Sequence, residues 1–364
     1  MRIGMLIYGS LETLSGGYLY DRKLVAHLRE EGDEVEIISL PWRYYAAHLT
    51  DNFSNSLQQR LADTSFDVLI QDELNHPSLF WLNRRLRDQV GYPIISIVHH
   101  LRSSEKRASW QNLLYRLPER AYLNSVDGFI FNSQTTRSVV EETIGESRPN
   151  VIAYPAGNRH DPQIDKADIV ARAREMGPLK IIFLGTVIPR KNLHTLLNAL
   201  SRLAPESYQL SVIGGLDVDL PYVQSVGRLV ERLGLERQVT FLGTMHDEKL
   251  KTTLRENHIL AMPSSYEGFG IAYLEGMGYA LPAIGSTAGA AHEIITHAVD
   301  GFLIETENAS ALAAHLHELA ADREKLIKLS LAARQRYLAH PTWNESAAII
   351  REFLWKITRT SSAI

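Results

Sequence analysis

Cysteine is absent from the 364-residue chain. That removes disulfide frameworks, thiol nucleophiles and Cys-ligated zinc or iron–sulfur centres. An excess of positive charge is missing as well: 38 Lys and Arg stand against 42 Asp and Glu, a formal net charge of −4. A general nucleic-acid binder is strongly basic, so no nucleic-acid partner is expected, and chemistry on anions must come from cations placed locally. No apolar run approaches the roughly 20 residues of a membrane-spanning helix. The opening stretch Ile3–Tyr8 is too short for a secretory signal. A soluble, cytoplasmic protein is the expectation. What is present is an ordinary globular composition, 45% hydrophobic and 22% charged, at a length that suggests two domains.

Short β-branched runs alternate with helical patterns along the chain. Ile3–Tyr8, Val35–Leu40, Val68–Gln71, Ile94–His99, Phe129–Phe131 and Val151–Tyr154 read as strands. Most are apolar throughout rather than alternating, as in parallel strands covered on both faces. The rhythm restarts with Ile181–Gly185, Leu210–Gly214, Val239–Leu242, Ile259–Pro263, Ala283–Gly285 and Phe302–Ile304, and from Asn308 the chain reads as helical. The fold class is therefore α/β, with two Rossmann-like doubly wound parallel sheets. Pro155-Ala156-Gly157, Pro162 and Gly177-Pro178 punctuate a polar stretch between them. The expected division is residues 1–157, a linker over 158–178, a second domain over 179–342, and a helix over 343–364 packing back toward the first domain. Ligands of such sheets sit at the carboxyl ends of the strands, so the loops after each strand are where chemistry is sought.

The densest signal is Pro263-Ser264-Ser265-Tyr266-Glu267-Gly268-Phe269-Gly270-Ile271-Ala272-Tyr273-Leu274-Glu275, running from a strand into a helix. Gly268 and Gly270 let backbone approach a ligand, and a helix opening near Gly270 offers unpaired N–H groups to an anion. Glu267 at the mouth and Glu275 within the helix suit hydroxyl groups. On pattern alone a Gly-rich turn with two surface glutamates fits as well. Arg190 and Lys191, in the loop after Ile181–Gly185, would neutralise a diphosphate, although an isolated Arg-Lys pair is more often solvated. Gly16 and Gly17 form a turn into a helix and can present amides, or form a plain loop. His99, at a strand's carboxyl end, is placed to hydrogen-bond a sugar, or is a structural histidine.

Together, the E-x7-E spacing of Glu267 and Glu275, the intervening Gly-Phe-Gly and the distal Pro282 closely resemble the donor-site motif of retaining glycosyltransferases of family 4. The resemblance implies the GT-B fold, two Rossmann-like domains facing across a cleft, with an acceptor-side first domain and a nucleotide-sugar donor second domain. It implies that Glu267 lies beside the donor sugar and Glu275 holds the ribose, with Gly268, Phe269 and Gly270 supplying backbone contacts. By the same resemblance Lys191 binds the diphosphate, Gly16 and Gly17 approach it, and His99 contacts the sugar near the reacting carbon. Four positions depart from the family: Thr186 stands where an arginine is usual, His100 where an aspartate is, and Gly276 and Gly278 where alanines are. Arg190 is the residue that would compensate for Thr186.

Two further patterns imitate metal sites and are set aside. Asp217-Val218-Asp219 lies in a polar loop. His292-Glu293 with His297 has its second histidine one position late for a zinc helix, which turns the two rings roughly 140° apart at about 100° per residue. No metal and no cofactor beyond the sugar-nucleotide co-substrate is expected. Leu101–Leu123 combines Arg102, Lys106, Arg107, Arg116 and Arg120 with Trp110, Leu113, Leu114, Tyr115 and Leu117. It fits an ordinary core-facing helix with a basic outer side, or a peripheral contact with an anionic membrane.

The expected function is a retaining, metal-independent transfer of a sugar from a nucleoside diphosphate, UDP ahead of GDP, to an acceptor hydroxyl of a glycan, lipid or small molecule. Glu267 and His99 are the candidate catalytic groups. A non-transferring epimerase or hydrolase of the same fold, and a catalytically silent sugar-nucleotide-binding subunit, stay open as alternatives.

Overall fold

The computed structural model describes residues 1–13, 15–105, 109–158 and 162–361, leaving aside the side chains at 109 and 361. Among the described residues the chain separates into two compact units, Met1–Pro155 with Pro341–Ile364, and Ala156–His340.

The first unit holds a six-stranded parallel sheet. Its strands are β1 (Arg2–Tyr8), β2 (Glu34–Leu40), β3 (Val68–Asp72), β4 (Ile94–Val98), β5 (Gly128–Phe131) and β6 (Asn150–Ile152), in spatial order β2-β1-β3-β4-β5-β6. Every residue of β3, β4 and β5 is buried, which is why these runs are apolar with almost no alternation. Leu6, Tyr8, Leu69, Val98, Phe129 and Phe131 share one cluster with Leu57, Leu61, Leu82, Leu86, Tyr122 and Val140 from the covering helices. Each such aliphatic or aromatic side chain contributes roughly 1.5–3 kcal/mol by leaving water. The terminal helix Trp343–Ser361 packs on helix Gly16–Glu30. There Arg351 Nε donates to Asp33 Oδ2 at 2.7 Å.

The second unit repeats the design with β7 (Leu179–Leu184), β8 (Tyr208–Ile213), β9 (Val239–Gly243), β10 (Ile259–Ala261), β11 (Ala283–Ser286) and β12 (Gly301–Ile304). Their order is β12-β11-β10-β7-β8-β9, all parallel, with Ile181 opposite Ile259 and Ile182 opposite Leu260. Numbered within the unit this is 3-2-1-4-5-6, the Rossmann order.

The stretch 158–178 is not a bare linker. Helix Lys166–Arg174 forms within it, opened by a capping box in which Asp165 accepts from the Asp168 amide at 2.8 Å and Asp168 accepts from the Asp165 amide at 3.3 Å. Ile169 and Ala173 are buried, and the helix packs against Arg323–Leu338 of the same unit. Residues 159–161 of the expected linker and 362–364 of the expected terminal helix lie outside the described residues.

Candidate active site

In each sheet the chain winds outward in both directions from one pair of neighbouring strands. Loops diverge there and leave a crevice at the carboxyl ends. In the second unit that pair is β7 and β10. The loop after β7 carries Arg190 and Lys191, and the loop after β10 carries Ser264 to Gly270, so topology alone brings two of the sequence-predicted clusters together.

Hydrogen bonds lace these loops. The Ser265 amide donates to the Arg190 carbonyl at 2.8 Å. Asn192, held at φ +60°, donates from Nδ2 to the Pro263 carbonyl at 3.0 Å and accepts from Thr195 Oγ1 at 2.8 Å. The short turn Pro189–Lys191 is thereby fixed with its two cations aimed at Glu267. Lys191 Nζ lies 2.6 Å from Glu267 Oε1, and Arg190 Nη1 lies 3.7 Å from Oε2. Ser264 Oγ donates to Oε1 at 2.6 Å. Arg190 Nη1 also donates to the Tyr266 carbonyl at 2.9 Å.

Glu267 is buried. Burial by itself would push its carboxyl up, but Lys191, Arg190 and the Ser264 hydroxyl outweigh that and hold it down at about 2. Lys191 is drawn below its ordinary value by burial, with Glu267 opposing and Arg190 assisting the fall. A buried pair of this kind exists because each partner compensates the other's lost hydration. Chemically it is a carboxylate able to accept hydroxyl groups beside cations able to turn to an anion.

Gly270, at φ +107°, caps helix Ile271–Gly278. A Cβ there would sit 2.5 Å from the Tyr273 ring. Phe269 is buried, Gly268 half-buried, and Glu275 stands half-buried on the helix. Gly289 was not singled out from the sequence. It forms a bridge to Glu267, the Ala290 amide donates to the Glu267 carbonyl at 2.8 Å, and a Cβ at Gly289 would lie 2.1 Å from that carbonyl oxygen. A lone glycine among small residues after a strand was the only available signal.

In the first unit the corresponding pair of strands is β1 and β3. Gly16 and Gly17 are the first two residues of helix Gly16–Glu30, and Ser15 caps it by accepting from the Tyr18 amide at 3.3 Å. Gly17 packs on the imidazole of His99, which follows β4. A Cβ at Gly17 would lie 3.2 Å from His99 Cδ2. His100, by contrast, pairs with Glu105, Nε2 to Oε1 at 2.9 Å. Nothing in the sequence marks the acids around His99: Asp21, Asp72 and Glu73, all buried. Acidic residues in and after a strand look like solvated loop until the fold covers them.

Two trios of ligating side chains lie within 4.8 Å among the described residues, Asp21–Asp72–His99 and Glu73–His76–Glu119. In the second, His76 Nδ1 donates to the Glu73 carbonyl at 3.1 Å and Nε2 takes the Tyr45 hydroxyl at 2.9 Å. Burial holds this imidazole down at about 4. With one nitrogen donating and the other accepting, a neutral ring has no lone pair left for a metal. The two acidic or histidine-rich patterns set aside earlier have structural roles. Asp219 caps helix Leu220–Leu233, accepting from the Tyr222 amide at 3.0 Å. His292 donates to the Gly289 carbonyl at 3.0 Å from a short turn, Ala290–Glu293, and His297 Nδ1 accepts from the Leu303 amide at 3.1 Å.

Helix Ser109–Leu123 faces the core only through its C-terminal end, where Tyr122 and Leu123 are buried, and departs from the expectation over its first two turns. Trp110, Leu113, Leu114 and Leu117, spaced i, i+3, i+4 and i+7, are 58–65% exposed, so its apolar stripe points outward. Arg116 and Arg120 are exposed too, and Lys106 and Arg107 lie outside the described residues.

The whole fold is that of the GT-B glycosyltransferases. Sucrose-phosphate synthase from Thermosynechococcus elongatus superposes with a TM-score of 0.84 at 19% identity, covering 99% of this chain and 100% of that one. Anabaena HepE in complex with UDP and glucose superposes with a TM-score of 0.74 at 19% identity, covering both chains fully, 100% of each. Residues 165–336, nearly all of the second unit, match the family model described as glycosyl transferases group 1. That match lies within the second unit, while the likeness of fold extends over the whole chain. The chain is also similar to a GDP-mannose-dependent alpha-(1-6)-phosphatidylinositol monomannoside mannosyltransferase of Mycobacterium tuberculosis, 27% identical over 244 residues. That match takes in 64% of this chain and spans about three fifths, 62%, of the relative.

Proposed function

We propose that the protein transfers a sugar from a nucleoside diphosphate to an acceptor hydroxyl, with retention at the anomeric carbon and without a metal. The observation that carries the reading is the cluster of half-buried Lys191 and Arg190 on buried Glu267 and Ser264, at the β7/β10 crevice of a group 1 domain. Here cations that fit a diphosphate are parked on a carboxylate that fits sugar hydroxyls. An arriving donor exchanges the pair: its phosphates take Lys191 and Arg190, and Glu267 accepts from the sugar. As the glycosidic bond breaks, charge builds on the departing diphosphate. Preplaced ammonium and guanidinium groups, with amides near Gly270, stabilise it without reorganising solvent. Arg190 takes the place of the family arginine that Thr186 replaces, which its approach to Glu267 supports. Glu275 holds the ribose. In the first unit, His99 with Gly16 and Gly17 contacts the donor. The leaving phosphate itself takes the acceptor's proton, as the sequence resemblance implies.

The sequence resemblance favours UDP, while the mycobacterial relative is named for GDP-mannose. UDP-sugars and GDP-sugars are therefore tested side by side, by thermal shift with wild type and Lys191→Ala. A donor at 100 times its dissociation constant raises stability by about 2.7 kcal/mol. Stabilisation of wild type by at least one such compound, lost in the variant, is expected. Sugar released from that donor only when an acceptor is supplied separates transfer from hydrolysis or epimerisation, and from a silent binding subunit. The outward stripe of Ser109–Leu123, flanked by Arg116 and Arg120, supports peripheral contact with an anionic membrane, and hence a lipid-linked acceptor.

A further inference from the structure

Asp21 sits on helix Gly16–Glu30, fully buried, and neither carboxylate oxygen has a hydrogen-bond partner among the described residues. A buried, unpartnered carboxylate is costly. The nearest candidate to relieve it is His99. Its Nε2 is buried, has no hydrogen bond of normal geometry, and lies 3.4 Å from Asp21 Oδ1. A bare nitrogen lone pair facing a carboxylate would repel it, so the arrangement requires a proton on Nε2. The neutral Nε2–H tautomer and the cation both supply one, and a buried carboxylate with no other partner among the described residues favours the cation. The ring still keeps 17% exposure, and with Nε2 sealed that exposure belongs to its other edge.

We infer that Asp21 is a positioning residue, whose carboxylate holds the His99 imidazole as a cation with Nε2–H turned inward and the opposite ring edge facing the sugar nucleotide.

This rests on the donor-binding reading given above and adds to it the charge state and tether of His99. The groups around the ring bear on the balance in opposite senses. From the first helix, Asp21 favours the cation, while the helix N-terminus at Gly17 opposes it. From the end of β3, Asp72 and Glu73 favour it. Tyr20 meets the ring edge-on at 5.3 Å, and from beyond β5 Asn132 Nδ2 donates to the His99 carbonyl at 2.7 Å. Burial pulls the imidazole down, but Asp21, Asp72 and Glu73 outweigh it and leave His99 above its ordinary value. Asp72 is pushed up to about 7 by burial and by Asp21.

The test is an NMR titration of the full-length protein, with the His99 signal assigned by its loss in His99→Gln. His99 is expected to titrate above 6.5 in wild type and below it in Asp21→Asn, with Asp21→Glu intermediate. In parallel, binding of UDP-glucose and GDP-mannose is measured against pH by calorimetry. Affinity should weaken as pH rises through the His99 transition, and Asp21→Asn should move that transition to lower pH and weaken binding at pH 7 roughly tenfold. A wild-type His99 titrating at or below 6.5 overturns the inference even if Asp21→Asn fails to fold. So does an unchanged titration in that variant, or a His99 signal that responds to added Mn²⁺ or to chelation, which would make the trio a metal site. If the titration behaves as expected but neither donor binds at any pH, the transfer function fails and the donor-facing role of His99 fails with it. The Asp21–His99 ion pair alone would then stand.

Discussion

Lys191 Nζ and Glu267 Oε1 stand 2.6 Å apart, although 76 residues separate them in the chain. They meet because β7 and β10 are neighbours in the sheet, and each loop inherits the position of its strand. On the donor-binding reading proposed above, the pair ties stability to function, since the charges that compensate each other would separate to receive a donor.

Removing one partner strands the other. Lys191→Ala and Glu267→Ala should each lower stability by about 3–5 kcal/mol, the usual cost of leaving a buried charge unpaired. The apolar double replacement Lys191→Met with Glu267→Leu should cost far less than the sum. Urea denaturation of the three variants measures this; additive losses would show that the two side chains do not interact.

The pair also sets a pH response. Glu267 is held at about 2 in the folded protein against about 4.3 when unfolded. Its contribution is therefore fully present above about pH 4.5 and is lost as pH falls through 2. Glu73 has the opposite sign. Burial pushes it up to about 7, so the folded state holds a proton that the unfolded chain has released, and stability falls as pH rises from about 4.5 to 7. Glu73→Gln should flatten that decline in the first unit. Hydrogen exchange of β3 and β4 amides at pH 5 and pH 8 reads it, and an unchanged pH slope would contradict the assignment.

Gly289 should tolerate no side chain. At φ +77°, with a Cβ only 2.1 Å from the Glu267 carbonyl oxygen, Gly289→Ala must displace the Glu267 loop. Stability should fall by at least about 2 kcal/mol, and donor binding should weaken with it. Normal binding calorimetry in the variant would mean that Glu267 does not need its observed backbone position.

The stripe on Ser109–Leu123 predicts a lipid preference. The protein should sediment with phosphatidylglycerol vesicles and not with phosphatidylcholine vesicles, and Leu113→Glu with Leu117→Glu should abolish it. Equal sedimentation of the double variant would assign vesicle binding to another surface and contradict a role for the stripe.

All twelve strand positions were legible: central strands buried on both faces write an unbroken apolar run, as in Ile-Ile-Ser-Ile-Val of β4, and half-exposed edge strands such as β2 and β9 still carry β-branched and aromatic residues. Glu267, Lys191 and Arg190 were legible as candidates, but their ion pair was not, since it depends on strand order rather than on local pattern. Helix Lys166–Arg174 was hidden by flanking Pro162, Gly177 and Pro178, although Asp165 and Asp168 carried its capping signal. The outward stripe of Trp110, Leu113, Leu114 and Leu117 shows the limit of periodicity. A 3.6-residue period marks an apolar face and says nothing about which way that face points. Asp21 escaped for the same reason: burial of a single acid inside a helix leaves no trace in sequence.

The most direct test of the donor site is calorimetric titration of wild type and Lys191→Ala with UDP-glucose and GDP-mannose at neutral pH. Saturable binding of at least one of them by wild type, weakened at least tenfold in the variant, is the predicted result. Heat from neither compound, or equal affinity in both proteins, would contradict it.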